Sequence, residues 1–330
     1  MTPKTKIIDA FSKEKPGTRT TGTIKVGDTS TSPIDLSIVT LSGLKEGPTL
    51  CLIAGIHGCE YSGIEAVIRL TNELDPEKLR GKVVAVPVAN KPAFTSHVPY
   101  VCPIDGINLN RVFPGNPTGS ISYRLAHVLF TKVISRSNFL IDIHGADLPE
   151  ELPPQGLVIL QKKGNRETRR MSKNLVDLFD SEYILTSEIE GTCAGESCKA
   201  GIPAIAPEAD GAGRIDEKAV LFYRNGILNV MRYLGMIRDV PQKTRPKKII
   251  YLLHAIRAEQ GGVFYPKRSA GEIISKGDIL GEIRDIYGNV KEQVIAPIQG
   301  LVTIRMTNWA VNSGDVLLFL GKLDKRISNS

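Results

Sequence analysis

Hydrophobic residues between positions 48 and 236 follow two alternating patterns. Short, almost continuous apolar runs typical of buried strands fall at 49–56, 82–88, 138–143 and 157–160. Three other stretches, SGIEAVIRLTNEL, ISYRLAHVLFTKVIS and NRETRRMSKNLVDLF, carry apolar residues at helical spacing, the first with Ser62 as its expected N-cap. Because strands that are apolar on both faces alternate with helices, the pattern predicts an α/β fold with a mixed, mainly parallel sheet flanked by helices.

The pattern changes after a polar, basic segment, RDVPQKTRPKK at 238–248, whose two prolines indicate a connector. Short β-type runs broken by glycine follow, and SKGDILGEI resembles NSGDVLLFL as a weak internal repeat. This pattern of short strands and glycines resembles the barrel-sandwich of biotinyl and lipoyl domains. The modifiable lysine that those domains carry at a hairpin tip has no counterpart in the sequence pattern here. We therefore expect a large α/β domain at 1–240, which includes an N-terminal β segment, and a small all-β domain at 249–330 that shapes or covers a cleft.

Composition removes several classes of function. The 330 residues are 42% hydrophobic and 23% charged, and no apolar run reaches the roughly 18 residues that a membrane span needs. The net charge of +7 comes from 42 basic and 35 acidic residues spread along the chain, which indicates a solvated surface rather than a nucleic-acid site. Residues 1–17 do not have the pattern of a signal peptide, and five cysteines argue against a disulfide framework. We expect a cytoplasmic protein without membrane or nucleic-acid partners; a homo-oligomer is left open.

Candidate metal ligands follow two of the predicted strands. His57 and Glu60 lie in GIHGCEYSG, after the first strand, and His144 lies in DIHGAD, after the third. In a parallel sheet the carboxyl ends of the strands share one edge, where ligands bind. Two imidazoles and one carboxylate would leave a fourth position open, as in hydrolytic zinc sites. By contrast, His127 and His254 are expected to be packing or surface residues.

The order His57, Glu60 and His144, with NLNRVFPG from Asn108 and PEADGAG from Pro207, resembles the succinylglutamate desuccinylase and aspartoacylase family, which is related to the zinc carboxypeptidases. The likeness covers roughly residues 45–235 and extends to the β-rich tail. It implies a carboxypeptidase-like fold, one zinc ion per chain and a small-molecule N-acyl amino acid as substrate.

The resemblance also implies roles for individual side chains. Glu208 falls where the family has its catalytic glutamate, which moves a proton from water to the leaving amine. Glu188, Glu190 and Glu196 are nearby rivals that the sequence does not exclude. Asn110 and Arg111 resemble the family's clamp for the substrate carboxylate, since a guanidinium grips a carboxylate with two parallel hydrogen bonds. Asp142, two residues before His144, is a candidate to orient that ligand.

One departure from the family pattern concerns the acyl group. Aspartoacylases have a further arginine shortly before the Asn-Arg pair, whereas here the stretch YVCPIDGIN, at 100–108, contains no basic residue. A neutral acyl group such as acetyl therefore fits better than an anionic one. Cys193 and Cys198 match no common metal or redox spacing and are expected to be loop thiols near the site.

These observations predict a zinc-dependent amidohydrolase that removes an acyl group from an N-acyl amino acid or a similar small carboxylate-bearing amide. Deacetylation of an N-acetyl-diamino acid and metallocarboxypeptidase activity on short peptides are alternatives within the same chemistry. A noncatalytic binding protein with the same fold, which would hold no metal, and a cysteine hydrolase using Cys59 are alternatives of other classes.

Overall fold

A single large sheet runs through most of the molecule in the computed structural model, which describes residues 15–324. Residues 1–14, on which the signal-peptide prediction depends, and 325–330 lie outside the described part. The α-helices are α1 (Tyr61–Glu73), α2 (Lys91–Ser96), α3 (Ile121–Lys132), α4 (Arg166–Val176), α5 (Cys193–Lys199) and α6 (Glu217–Tyr233). The first strands are β1 (Thr18–Asp28), β2 (Pro33–Ser42), β3 (Lys45–Ala54), β4 (Arg80–Val86), β5 (Phe139–Ile143), β6 (Glu150–Glu151), β7 (Leu157–Gln161), β8 (Tyr183–Ser187) and β9 (Ala204–Glu208).

The later strands belong to the β-rich region. They are β10 (Lys248–Arg257), β11 (Gly262–Pro266), β12 (Ile273–Ile274), β13 (Ile279–Arg284), β14 (Val290–Ile295), β15 (Gly300–Met306), β16 (Ala310–Val311) and β17 (Val316–Leu323). Within the described residues, the large sheet has the order β1-β2-β4-β3-β5-β9-β7-β8-β10-β17-β15-β12, and β6 pairs with β15. A second sheet, β14-β13-β11-β16, packs in the β-rich region. The predicted fold class, a mixed α/β sheet with an all-β region, is confirmed.

The centre of the large sheet is parallel and buried. Strand β3 pairs in parallel with β4 and β5, and β5 pairs in parallel with β9. Apolar side chains on the two faces of these strands form separate cores, one against α1 and α6 and the other against α3 and α5. This double burial is why the strands are continuous hydrophobic runs in the sequence.

The sheet does not stop at the predicted connector. Strand β10 pairs in parallel with β8 of the α/β part and antiparallel with β17 of the β-rich region. Hydrogen bonds therefore continue across the proposed boundary between residues 240 and 249, and the division into domains 1–240 and 249–330 stays a prediction. In the described part of the chain, no helix is both long and apolar enough to cross a membrane.

The start of α1 differs from the prediction. The residue that precedes this helix is Glu60, and Ser62 lies inside its first turn. The Ser62 hydroxyl instead donates a hydrogen bond to Asp210 Oδ2 at 2.8 Å and accepts one from the Asp216 backbone N–H at 2.9 Å. The expected N-cap role of Ser62 was therefore wrong, because its hydroxyl joins α1 to the loop that follows β9.

Helix α6 is attached to the edge of the sheet that carries the candidate site by one buried hydroxyl. Tyr223 Oη accepts a hydrogen bond from the Ala209 N–H at 2.6 Å and donates to the carbonyl of His144 at 2.5 Å. Both backbone groups directly follow strands, β9 and β5 respectively. The tyrosine thus fixes the ends of two neighbouring strands to one helix.

Tyr223→Phe should lower the free energy of unfolding by about 1–3 kcal/mol, because it leaves buried backbone groups without a partner. Urea unfolding measures the change. Tyr233→Phe is the matched control, since that hydroxyl lies at the exposed end of the same helix, where it contacts Asn174, and its loss should cost about 0.5 kcal/mol or less. Equal losses in the two variants would contradict the role given to Tyr223.

Candidate metal centre

Three adjacent strands bring the predicted site residues to one edge of the sheet. His57 and Glu60 lie in the turn between β3 and α1, and His144 directly follows β5. Glu208 is the last residue of β9 and forms an isolated parallel bridge with His144. Since β5 lies between β3 and β9, the parallel arrangement places all four residues at the same carboxyl edge.

The two imidazoles meet at the Glu60 carboxylate. His57 Nδ1 lies 2.7 Å from Glu60 Oε1, and His144 Nδ1 lies 3.0 Å from Glu60 Oε2. One nitrogen or oxygen atom from each of the three residues lies within 4.8 Å of the others. The spacing suits three side chains that share one cation.

The far nitrogens of both rings face hydrogen-bond acceptors. His57 Nε2 lies 3.2 Å from Asn108 Oδ1, and His144 Nε2 lies 3.3 Å from Asp142 Oδ1. The Asn108 amide oxygen favours a proton on His57 Nε2, which leaves the Nδ1 lone pair of that ring free for a metal. His144 Nε2 faces the Asp142 carboxylate and the amide nitrogen of Asn110. Asp142 therefore lies where the sequence predicted an orienting carboxylate.

Helix α5 fixes the residues behind His144. Asp142, only 1% exposed, accepts a hydrogen bond from the Ala194 N–H at 3.3 Å. Asn110 Oδ1 accepts from the Cys193 N–H at 2.8 Å, and Asn110 Nδ2 lies 3.2 Å from His144 Nε2. The first turn of α5 thus holds both polar groups that face Nε2 of the His144 ring.

The electrostatics of the cluster favour a cation. Burial, the largest single effect, would lower the pKa of both imidazoles. The charge and hydrogen bonds of Glu60, together with Asp147 for His57 and Asp142 for His144, outweigh it and raise the pKa of both rings, more strongly that of His144. Burial likewise opposes ionisation of Glu60, yet His144 and His57 lower its pKa to about 2. A carboxylate that is 5% exposed thus requires positive charge beside it, and a divalent ion would supply that charge. The residues present fit such an ion.

Glu208 lies beside this cluster in a different electrostatic state. Burial raises the pKa of its carboxyl group to about 8; the charge of His144 acts against this shift, and Glu60 and Glu150 add to it. The carboxyl group therefore exchanges its proton near neutral pH. That property is expected of a group that both accepts and donates a proton during a reaction.

The remaining predicted residues are placed as follows. Arg111 is exposed and donates through Nη1 to the carbonyl of Asn110 at 2.7 Å; among the described residues its guanidinium has no acidic partner.

The three rival glutamates each pair with surface or half-buried lysines. These pairs are Glu188 with Lys162, and Glu190 and Glu196 with both Lys163 and Lys199.

The cysteines differ from the prediction in one respect. Cys193 and Cys198 lie in α5 and are buried, so the expectation of loop thiols was wrong, although Cys193 does lie close to the site. Burial also raises the pKa of the Cys59 thiol, and neighbouring Asp147 adds to the shift. A raised pKa disfavours the thiolate that a cysteine nucleophile needs.

Sequence reasoning missed four residues at the site: Asn108, Tyr100, Asp147 and Glu150. Asn108 could have been inferred from NLNR, where it lies two residues before Asn110. Tyr100 contacts the His57 ring edge-on, with centroids 6.2 Å apart, and burial together with the charge of Glu150 raises the pKa of its hydroxyl. Asp147, nearly fully buried, accepts from the Tyr100 N–H at 2.6 Å. These contacts join distant loops and have no signal in local sequence.

The fold and the cluster together define an α/β protein with a His-Glu-His site suited to a divalent metal. Residues 46–234 match the succinylglutamate desuccinylase/aspartoacylase catalytic domain. Because this match covers more than half of the chain, the protein belongs to that family, as the sequence motifs predicted.

Individual relatives are more distant. The chain is 25% identical over 294 residues to the N-alpha-acetyl-L-2,4-diaminobutyric acid deacetylase of Halomonas elongata, covering 86% of this chain and 85% of the relative. The fold of the present chain matches the crystal structure of a succinylglutamate desuccinylase/aspartoacylase from Rhodobacter sphaeroides with a TM-score of 0.83 and 24% identity. The match covers 93% of this chain and 96% of that one. The fold also matches the product-bound ectoine utilization protein EutE from Ruegeria pomeroyi with a TM-score of 0.84, 22% identity and 92% and 95% coverage.

Purified protein dialysed without chelator should carry about one divalent metal ion per chain, and His144→Ala should lose it, because two remaining ligands hold a catalytic ion poorly. Elemental analysis measures the content. His254→Ala, which removes an exposed histidine of β10, is the control and should retain the metal. A wild-type protein that stays metal-free after zinc is added would contradict the site.

Proposed function

We propose that this protein is a zinc-dependent amidohydrolase that removes an acyl group from an N-acyl amino acid or a similar small carboxylate-bearing amide. The observation that carries the proposal is the meeting of His57, Glu60 and His144 beside Glu208, a carboxyl group with its pKa near neutrality. Membership of a family named for desuccinylase and aspartoacylase activities supports an amide deacylase. The choice of zinc rests on the donor set of two nitrogens and one carboxylate.

The three ligands would hold the ion through His57 Nδ1, His144 Nδ1 and a Glu60 oxygen. Zinc bound there would polarise the scissile carbonyl and lower the pKa of a water molecule to about 7. Asn108 would keep the His57 ring in the tautomer that presents Nδ1, and Asp142 would orient the His144 ring. The protein's contribution at this stage is to orient the ligands before the substrate arrives.

Glu208 would carry the proton. In its ionised form it accepts a proton from the attacking water, and in its protonated form it donates that proton to the nitrogen of the leaving amine. A carboxyl pKa of about 8 keeps both forms accessible near neutral pH. The backbone bridge to His144 fixes the end of β9, so Glu208 is held next to the ligand that follows β5.

Arg111 would bind the substrate's carboxylate. Its side chain is exposed beside Asn110, whose amide contacts the His144 ring, so a carboxylate gripped there would lie near the metal ligands. A guanidinium can form two parallel hydrogen bonds with such a group. Asn110 is proposed as the partner of Arg111 in substrate binding, and its contact with Cys193 N–H holds it in place.

The charge around the site favours an N-acetylated diamino acid within this class. Burial raises the pKa of Asp147 and Glu150, and the charge of Glu60 adds to both shifts, so a cation bound beside these carboxyl groups would favour their ionised forms. No basic residue lies at 100–108 to receive an anionic acyl group. A substrate with a neutral acetyl group and a free ammonium group would suit this environment. The Halomonas elongata relative, named as a deacetylase of acetylated diaminobutyric acid, supports the same choice.

Glu208→Gln should lower kcat by about 10²–10⁴-fold, because the amide keeps the shape of the side chain and cannot exchange a proton. Metal content should stay at one ion per chain. Glu190→Gln, which changes an exposed rival engaged with lysines, should keep wild-type turnover. Steady-state kinetics with an acetylated amino acid measures the effect; full activity of Glu208→Gln would remove it from the mechanism.

A substrate series tests the charge preference. The acetylated diamino acid should have a kcat/KM at least about tenfold above that of N-acetylaspartate, because like charges placed together cost several kcal/mol. An acetylated diamine without a carboxylate is the control for Arg111 and should show a raised KM. A higher kcat/KM for N-acetylaspartate would instead show that the site prefers a substrate whose amine part carries a second carboxylate.

A further inference from the structure

A short linking segment, residues 147–151, joins the metal site to the β-rich region. It begins three residues after His144 and ends in β6, which pairs antiparallel with β15: Glu151 lies opposite Arg305, and Glu150 lies opposite Met306. Thr307 extends the contact, since its N–H donates to the Pro149 carbonyl at 2.8 Å. The β-rich region therefore contacts the loop of a metal ligand directly.

The other side of the linking segment holds Tyr100. Asp147 Oδ2 accepts from the Tyr100 N–H at 2.6 Å, and Asp147 Oδ1 accepts from the Leu148 N–H at 2.8 Å. Tyr100 has a φ of 60°, in the left-handed region, which costs free energy for a residue with a side chain. The bond from Asp147 thus fixes an otherwise disfavoured backbone, and it directs the Tyr100 ring to the edge of His57.

One ion pair fixes the linking segment to the β-rich region. Arg305 Nη2 pairs with Glu151 Oε2, and the two side chains are 19% and 27% exposed. Arg305 Nε is buried and has no hydrogen-bond partner among the described residues, so the Glu151 carboxylate is the main charge partner of a partly buried guanidinium. The other arginine near Glu151, Arg214, is mostly exposed and 3.8 Å away. Arg305 is therefore the stronger partner.

We propose that Arg305 of the β-rich region is a positioning residue for the active site, acting through Glu151 and the linking segment on Tyr100 and Glu150. The segment is continuous from the ion pair to Asp147, and Asp147 bonds the backbone of Tyr100. Without the pair, only backbone hydrogen bonds would hold β6 on β15, and the looser segment would weaken the contact of Tyr100 with the His57 ring. The consequence for turnover rests on the proposed function; the consequence for the position of Tyr100 does not.

Hydrogen–deuterium exchange of the full-length protein tests the structural step without any substrate. In Arg305→Ala, exchange of the Tyr100 amide should accelerate at least fivefold. Arg284→Ala is the matched control, since it removes another arginine–carboxylate pair of the β-rich region, with Glu282 at 2.7 Å, away from the linking segment. It should leave Tyr100 unchanged. Wild-type exchange in Arg305→Ala, or equal acceleration in both variants, would overturn the proposal.

Kinetics then test the positioning role. Arg305→Ala should lower kcat/KM for an acetylated amino acid at least tenfold, with one metal ion per chain and an unfolding midpoint close to that of Arg284→Ala. Arg305→Lys, which keeps the charge, should recover at least half of the loss on a logarithmic scale. Faster Tyr100 exchange with unchanged kcat/KM would refute positioning. A wild-type protein without deacylase activity would refute the proposed function alone, because the exchange experiment still decides the structural step.

Discussion

The buried carboxylate of Glu60 is the constraint on which the rest of the site depends. It lies between two imidazole Nδ1 atoms, at 2.7 and 3.0 Å, where few water molecules can reach it. A buried anion is tolerated only when positive charge and hydrogen bonds compensate it, so the rings must be held in place. Asn108 and Asp142 do this from the far side of each ring. These contacts link Glu60 to β5, which carries Asp142, and to the loop that carries Asn108.

The parallel centre of the sheet explains why these residues meet. Strands β3, β5 and β9 are adjacent and run in the same direction, so the residues that follow them share one edge. Gly58, between His57 and Glu60, allows the turn after β3 to pack on α2, since a Cβ there would lie 2.2 Å from the Phe94 backbone nitrogen. The direction and order of the strands therefore bring the candidate ligands to one end of the sheet.

Local sequence was sufficient for those features that depend on strand ends. Apolar runs are visible in the sequence without a structure, and they directly precede the segments that contain His57, Glu60, His144 and Glu208. Contacts between separate loops were not visible: Tyr100 reaches the site through Asp147, 47 residues later in the chain. The start of α1 was not visible either, because the Ser62 hydroxyl bonds the distant Asp210 carboxylate instead of capping its own helix.

The connector at 238–248 illustrates the same limit on a larger scale. Its proline and basic composition correctly indicates an irregular segment, and from composition alone it suggests two independent domains. The next strand, β10, nevertheless continues the large sheet by pairing with β8 of the α/β part. A second pairing joins the two parts, because β6 of the α/β part pairs with β15 of the β-rich region. Backbone pairing depends on main-chain groups that every residue except proline carries, so composition does not show which strands pair. Backbone pairing with β8 and with β6 therefore attaches the β-rich region both to the large sheet and to the segment that follows His144.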